Sequence, residues 1–219
     1  MRSKVSLIYR KLYDNFGPQA WWPADSPFEV MIGAILTQNT SWVNVEKALI
    51  NIKQRNLLDP RKLYKLRDKE FARLIRPAGY YNIKTKRLKA FLNFFISKYS
   101  ANVKKLSLLR TNYLRKELLS VKGIGPETAD SILLYALNKP VFVIDAYTLR
   151  IFSRHNQLKE DVSYDEAQEF FMRSLSRNAK LFNEYHALIV KLGKDYCRKT
   201  KPKCRACPLR KCFNSGGFL

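Results

Sequence analysis

All four cysteines of this chain fall between Cys197 and Cys212, in the spacing Cys-x6-Cys-x2-Cys-x4-Cys, among Lys194, Arg198, Lys199, Lys201, Lys203, Arg205, Arg210 and Lys211. Four thiolates in one short loop bind either a [4Fe–4S] cluster or a single structural zinc, and the spacing leaves both open. In a reducing compartment such a cluster reads as a metal site before a disulfide framework. A second chemical feature is Asp145, the carboxylate that ends the apolar run Val141-Phe142-Val143-Ile144. A third is Gly123-Ile124-Gly125-Pro126, where two glycines around one apolar residue precede a proline suited to the first position of a helix. Backbone N–H groups freed there, at the positive end of a helix, suit a phosphate. The three tryptophans, Trp21, Trp22 and Trp42, form a fourth group, which either fills a core or stacks against flat rings.

The elements that must position these groups read as helices. Apolar residues recur at three- and four-residue spacing, and the chain has only 8 glycines. Ser26-Pro27-Phe28-Glu29 predicts a capping box opening a helix to about Leu36, and Asp59-Pro60 and Asp68-Lys69-Glu70 predict two more starts. Tyr81 to Tyr99 carries Leu88, Phe91, Leu92, Phe94 and Phe95 on a face expected to pack, and Lys84, Lys86, Arg87 and Lys89 on a face expected to stay wet. Val141 to Ile144 is either a short strand or a buried extended connector. The 219 residues, 46% of them hydrophobic, suffice for one large domain or two small ones without disulfides. Lys and Arg number 41 against 18 Asp and Glu, a formal charge of +23 that points to a polyanion such as nucleic acid. Charge alone fits a ribosomal or chromatin protein as well. The N-terminus shows no signal peptide and no apolar run reaches about 18 residues. The expectation is a soluble, cytoplasmic, nucleoid-associated monomer with no membrane partner.

Val121 to Asp130, the apolar helix after it, and Ile144-Asp145-Ala146-Tyr147-Thr148-Leu149-Arg150 resemble the helix-hairpin-helix, Gly/Pro-rich loop and aspartate of the endonuclease III superfamily of DNA glycosylases. The resemblance implies that Asp145 is catalytic. Breaking an N-glycosidic bond builds positive charge on the sugar, and a nearby carboxylate stabilises that centre and orients the attacking water. It also implies DNA-binding roles for Lys122, Gly123, Ile124 and Gly125 in the hairpin. Bifunctional members carry a lysine two residues after the second hairpin glycine, where this chain has Glu127. A carboxylate forms no Schiff base, so hydrolysis without strand cleavage is expected. The cysteine spacing resembles the iron–sulfur loop of the same superfamily, with one residue fewer in its last interval, which implies [4Fe–4S] with zinc as the alternative.

Such an enzyme extrudes its target base, fills the gap and sandwiches the base between flat side chains. Leu36-Thr37-Gln38-Asn39-Thr40 resembles the family segment that contacts DNA, with Gln38 as the wedge and Asn39 beside it. Trp21-Trp22-Pro23, that same segment with Trp42 after it, and Arg76 to Asn82 are similar to the 3-methyladenine glycosylase branch. That likeness implies a pocket of Trp21, Trp22, Pro23 and Trp42 for alkylated purines such as 3-methyladenine and 7-methylguanine, whose electron-poor rings stack well on indole. Two departures stand out, since well-known members of the branch lack the cysteines and use a modified lysine near the position of Leu188. The fold implied is all-α, with two helical lobes flanking a DNA-binding cleft. Residues 23–134 would form a six-helix barrel with the hairpin at about 113–136. Residues 1–22 and 135–219 would form a split lobe with the iron–sulfur loop at 197–212. The partner implied is double-stranded DNA bearing a damaged base. The alternatives are a bifunctional glycosylase and lyase acting on oxidised pyrimidines, and a non-catalytic DNA-binding protein with a structural metal.

Overall fold

The computed structural model describes residues 4–210, and every regular element among them is helical. Helix α1 is Lys4–Phe16 and α2 is Pro27–Leu36. Ser26 caps α2 by accepting the N–H of Glu29 at 3.2 Å. Only half of the expected capping box forms: the Glu29 carboxylate accepts the N–H of Asp25 at 2.9 Å and pairs with Lys53. All of α2 from Phe28 to Leu36 is buried, so this helix is central to its surroundings and not a surface element. Helices α3 (Trp42–Lys53), α4 (Pro60–Lys65) and α5 (Asp68–Leu74) follow, with Asp59 capping α4 through the N–H groups of Arg61 and Lys62. A 3-10 turn, Arg76–Ala78, leads into α6, Tyr81–Tyr99. Then come α7 (Val103–Ser107), α8 (Thr111–Leu119) and α9 (Pro126–Ser131), the last continuing as a π-helical turn, Ile132–Ala136. Helices α10 (Ala146–Arg154), α11 (Tyr164–Ser174) and α12 (Ala179–Asp195) complete the order, before a 3-10 turn at Cys204–Ala206.

These elements divide into two compact units, one from Trp22–Lys139 and the other from the described parts of Met1–Trp21 and Pro140–Leu219. The boundaries therefore lie at Trp21/Trp22 and Lys139/Pro140, one residue before and five residues after those expected. The second shift has a physical cause. The π turn carries the helix on to Ala136, and the Lys139 ammonium is held by the carbonyls of Ser107 and Leu109 at 2.9 and 2.6 Å. In the continuous unit, Phe95 of α6 stacks with Phe91 and with Phe28 of α2 at 5.9 and 6.1 Å.

In the discontinuous unit, Phe142 stacks on Phe171 of α11 at 4.2 Å and meets Phe182 and Tyr185 of α12 edge-on. Val141 to Ile144 is thus the buried connector and not a strand. Side chains satisfy its backbone where a ladder would otherwise be needed: Gln168 donates to the Phe142 carbonyl at 2.7 Å, and the Ile144 N–H reaches the Tyr164 hydroxyl at 3.4 Å. Burying Phe142 fixes the chain three residues before Asp145. No described helix is long and apolar enough to cross a membrane.

Candidate active site

Asp145 is the N-cap of α10, with extended backbone and a carboxylate that serves two masters. Its Oδ1 accepts from the Thr148 N–H at 2.7 Å and from the Thr148 hydroxyl at 2.8 Å. Its Oδ2 lies 3.5 Å from Nε2 of His186 on α12, with the side chains 11% and 8% exposed respectively. Burial by itself raises such a carboxyl. The charge and hydrogen bonding of His186, then the two donors of Thr148, outweigh it and hold Asp145 below the ordinary carboxylate value. The result is an ionised, oriented carboxylate in a largely dry setting, suited to stabilising positive charge. His186 of α12 thus faces Asp145. A lone histidine on the apolar helix α12 gives no sequence signal for this, because its partner is 41 positions away.

The hairpin joins α8 to α9 as expected. Gly123 has φ +90° and a Cβ there would fall 2.4 Å from Cγ of Arg87, so only glycine lets Arg87 pack across the turn. Ile124 departs from its assigned role: its side chain is buried and its N–H is bonded to the Val121 carbonyl at 3.0 Å. Lys122 and Gly123 are exposed and Gly125 is half-buried. Asp130 on α9 is fully buried and receives both Nε and Nη2 of Arg115 from α8, at 2.8 and 3.1 Å, which locks the two hairpin helices together. Glu127 is exposed in the first turn of α9, where an acid is favoured by the helix dipole.

Gln38 follows the end of α2 and is tied to the hairpin. Its amide donates to the Gly123 carbonyl at 3.0 Å and to the Thr128 hydroxyl at 2.9 Å, while Arg87 donates to its Oε1. Asn39 beside it is exposed with φ +54°. The backbone leading to Gln38 is held from below by Lys84, whose ammonium donates to the carbonyls of Leu36 and Ala78, both at 2.7 Å. Lys84 was expected on the wet face of α6; it is 1% exposed. Lys86 and Arg87 keep the outward side of that helix, with Tyr80 before it exposed at φ +47°.

The tryptophans separate. Trp22 and Trp42 meet edge to face with ring centroids 4.9 Å apart, and Tyr135 from the π turn lies 5.1 Å from Trp22 on another side. Gly33 of α2 supports the group, since a Cβ there would stand 3.3 Å from the Trp22 ring. Pro23 is exposed. Trp21 belongs to the other unit, where the Lys194 ammonium lies over its ring at 5.8 Å. Tyr135 was missed because a π turn shifts the helical register and leaves no mark in the sequence pattern.

Of the four cysteines, Cys212 lies outside the described residues. Cys197 is buried, Cys207 half-buried and Cys204 exposed. The Cys207 N–H bonds to the Cys204 carbonyl at 3.2 Å, giving the tight turn that brings two such residues to one side. Arg154 of α10 donates to the Cys197 sulfur at 3.5 Å and to the carbonyls of Arg198 and Lys199, and Arg150 donates to the Cys197 carbonyl at 2.9 Å. Three cysteine sulfurs in a basic loop are the donor type that an iron–sulfur cluster or a structural zinc takes, so the donor chemistry fits. No group of three or more His, Cys, Asp or Glu gathered for a metal occurs among the described residues.

Comparison with known proteins adds family. Residues 32–177 match the family described as HhH-GPD superfamily base excision DNA repair protein. A relative from Methanocaldococcus jannaschii, named provisionally as a DNA repair glycosylase, is 48% identical over 208 residues, covering 94% of each chain. Endonuclease III of Thermotoga maritima is 28% identical over 188 residues, 84% of this chain and 81% of that one. Among solved structures, H. pylori 3-methyladenine DNA glycosylase (MagIII) bound to 1,N6-ethenoadenine has a TM-score of 0.74 at 28% identity, covering 88% of this chain and 97% of the other. A non-covalent endonuclease III–DNA complex shares the fold with a TM-score of 0.83 at 20% identity, over 98% and 96% of the two chains.

Proposed function

The chain belongs to the HhH-GPD superfamily of base excision DNA repair proteins and is a DNA glycosylase, and from that premise we propose that it is monofunctional, hydrolysing the N-glycosidic bond of an alkylated purine. The observation that carries the hydrolytic reading is Glu127, a carboxylate where lyases of the family have their lysine. Two nearby amines give no substitute of the same kind. Lys139 is held by two carbonyls, and burial lowers its proton affinity without freeing it, while Lys122 stands exposed on the hairpin.

In this reading the base departs with the electron pair of the glycosidic bond, and the sugar carbon becomes oxocarbenium-like. Asp145, ionised by its setting, stabilises that charge. Water then adds to the sugar carbon and loses its proton to the carboxylate. A methylated purine leaves as a neutral base from a cationic ring, so it needs no proton donor. The hairpin N–H groups and Lys122 bind phosphate without regard to sequence, Gln38 fills the vacated stack, and Trp22 and Trp42, with Tyr135, offer indole and phenol faces for the base. The likeness to MagIII supports the alkylpurine assignment.

The test is a panel of duplexes each carrying one altered base, with 3-methyladenine, 7-methylguanine, 1,N6-ethenoadenine, uracil and an oxidised pyrimidine among them. Release of the methylated purines, with strand breaks only after alkali, is the expected result. Borohydride trapping of a covalent adduct would overturn the monofunctional reading. Release of uracil or oxidised pyrimidine alone would overturn the substrate. Asp145→Asn should lower the single-turnover rate about a hundredfold or more with DNA affinity preserved.

We also infer that Cys197, Cys204, Cys207 and Cys212 hold a [4Fe–4S] cluster. Its chemistry there is to cross-link a basic loop for phosphate contact. Brown protein with broad visible absorbance is expected, and a colourless, zinc-loaded sample would refute it.

A further inference from the structure

We propose that His186 is a positioning residue for the glycosylase reaction, holding Oδ2 of Asp145 while Thr148 holds Oδ1, so that the carboxylate is fixed by both oxygens from two different helices. The proposal rests on the reading of Asp145 as the catalytic carboxylate. It goes beyond that reading by naming what keeps the group charged and aimed.

The geometry is asymmetric. Oδ1 is saturated by two short hydrogen bonds from the first turn of its own helix, α10, which any aspartate N-cap would form. Those bonds leave the plane of the carboxylate free to rock and leave Oδ2 to its surroundings. Across from it, α12 presents one polar side chain, His186, in a stretch whose neighbours Ala187, Leu188, Ile189 and Val190 are all buried. An imidazole buried to 8% exposure among apolar residues costs stability unless a polar group stands near it, and its Nε2 faces Oδ2 at 3.5 Å, an ion-pair separation longer than a typical hydrogen bond. Helix α12 is in turn fixed at this level, because the Tyr185 hydroxyl donates to the Val5 carbonyl at 2.9 Å and Tyr147 of α10 lies against Gly193.

Other titratable and charged groups on the elements packed here are engaged elsewhere. Tyr164 receives the Ile144 N–H, Arg150 reaches the carbonyls of Cys197 and Gly193, Glu184 accepts the Gln19 N–H, and Lys191 pairs with Asp195. Within this unit the side chain that faces Oδ2 of Asp145 is His186. Remove it, and burial, the largest influence on this carboxyl, acts against Thr148 alone. Asp145 must be ionised to stabilise positive charge, so activity would then be lost at a higher pH as conditions turn acid.

The variants are His186→Phe, which keeps the ring volume without a donor, and His186→Gln, whose amide can still donate. In His186→Phe the single-turnover rate at neutral pH should fall about tenfold or more, with the acid limb of the pH–rate profile displaced upward by about one pH unit and affinity for abasic-site DNA unchanged. His186→Gln should recover part of the rate. An unmoved acid limb in His186→Phe would overturn the proposal, because a merely structural role predicts lower stability and an unchanged profile. A measurement independent of activity keeps the test decisive if His186→Phe fails to fold. The chain has two histidines, so imidazole 15N signals assign with one His155→Gln variant. An Nε2-protonated ring should be seen in the wild type and altered in Asp145→Ala; identical ring signals would overturn the proposal. Should Asp145→Asn retain full activity, the catalytic reading falls and this proposal with it. An inactive Asp145→Asn whose companion Asp145→Ala leaves the ring signals unmoved would overturn the His186 role alone.

Discussion

Lys84 is an ammonium group enclosed by helices, with two backbone carbonyls as hydrogen-bond acceptors and no carboxylate. Burial, and then the neighbouring Arg87, push it down to about 8 from the ordinary lysine value of 10.5. The folded state therefore binds this proton more weakly than the unfolded chain does. Its cost to stability is fully present below about pH 8 and is relieved as pH rises toward 10.5. Relative to Lys84→Met, the wild type should gain about 2 kcal/mol of unfolding free energy between about pH 8 and pH 10, measured by denaturant titration at each pH. A constant difference would show the charge to be fully compensated by the carbonyls. The same residue marks a limit of sequence reading. Lys84, Lys86, Arg87 and Lys89 look alike as a basic face, and only the arrival of the Leu36 and Ala78 carbonyls at one of them makes it internal. Asp145, by contrast, stood out because the segment Ile144 to Arg150 resembles the aspartate-bearing segment of the superfamily, and it also caps α10, the common use of an aspartate after an apolar run. Its partner did not, since nothing near His186 in sequence speaks of a carboxylate.

Helices announce their starts better than their contents. Ser26, Asp59 and the bounds of α6 follow from capping chemistry and periodicity, which are local. The π turn, the half-formed capping box and the alternative uses of Val141 to Ile144 are decided by tertiary packing, so the sequence pattern leaves them open. The hairpin combines both kinds. Its glycines are readable, but the reason Gly123 has no substitute is the stem of Arg87, which comes from a helix 36 positions earlier. Gly123→Ala should weaken binding to undamaged duplex about tenfold in a fluorescence-anisotropy titration, since alanine would strain a positive φ and displace Arg87 from Gln38. Asp130→Ala should instead act on stability, costing about 3 kcal/mol by leaving Arg115 without its bidentate partner between α8 and α9.

At the scale of the molecule the clearest signal was charge, and it foretold the class of partner without the reaction. A formal charge of +23 spread over 219 residues predicts binding to undamaged DNA that falls steeply with salt. Raising salt from about 50 mM to about 200 mM should weaken it by about a thousandfold, as for a protein neutralising about six phosphates. A loss below about tenfold would mean that most of these charges never reach the backbone. The all-helical class was legible from periodicity, whereas the two units were expected from the family resemblance, since composition left one domain or two open. One of those units is assembled from the two ends of the polypeptide: α1 packs against α12, and the Tyr185 hydroxyl meets the Val5 carbonyl across 180 positions of sequence. During synthesis from the ribosome, Trp22–Lys139 can fold as soon as it emerges, whereas α1 must wait for α12 before its partner exists. A nascent chain thus forms the hairpin first. Asp145 meets His186 only after α12 has been made, so in the reading proposed above the carboxylate is held from its second helix later than the hairpin forms.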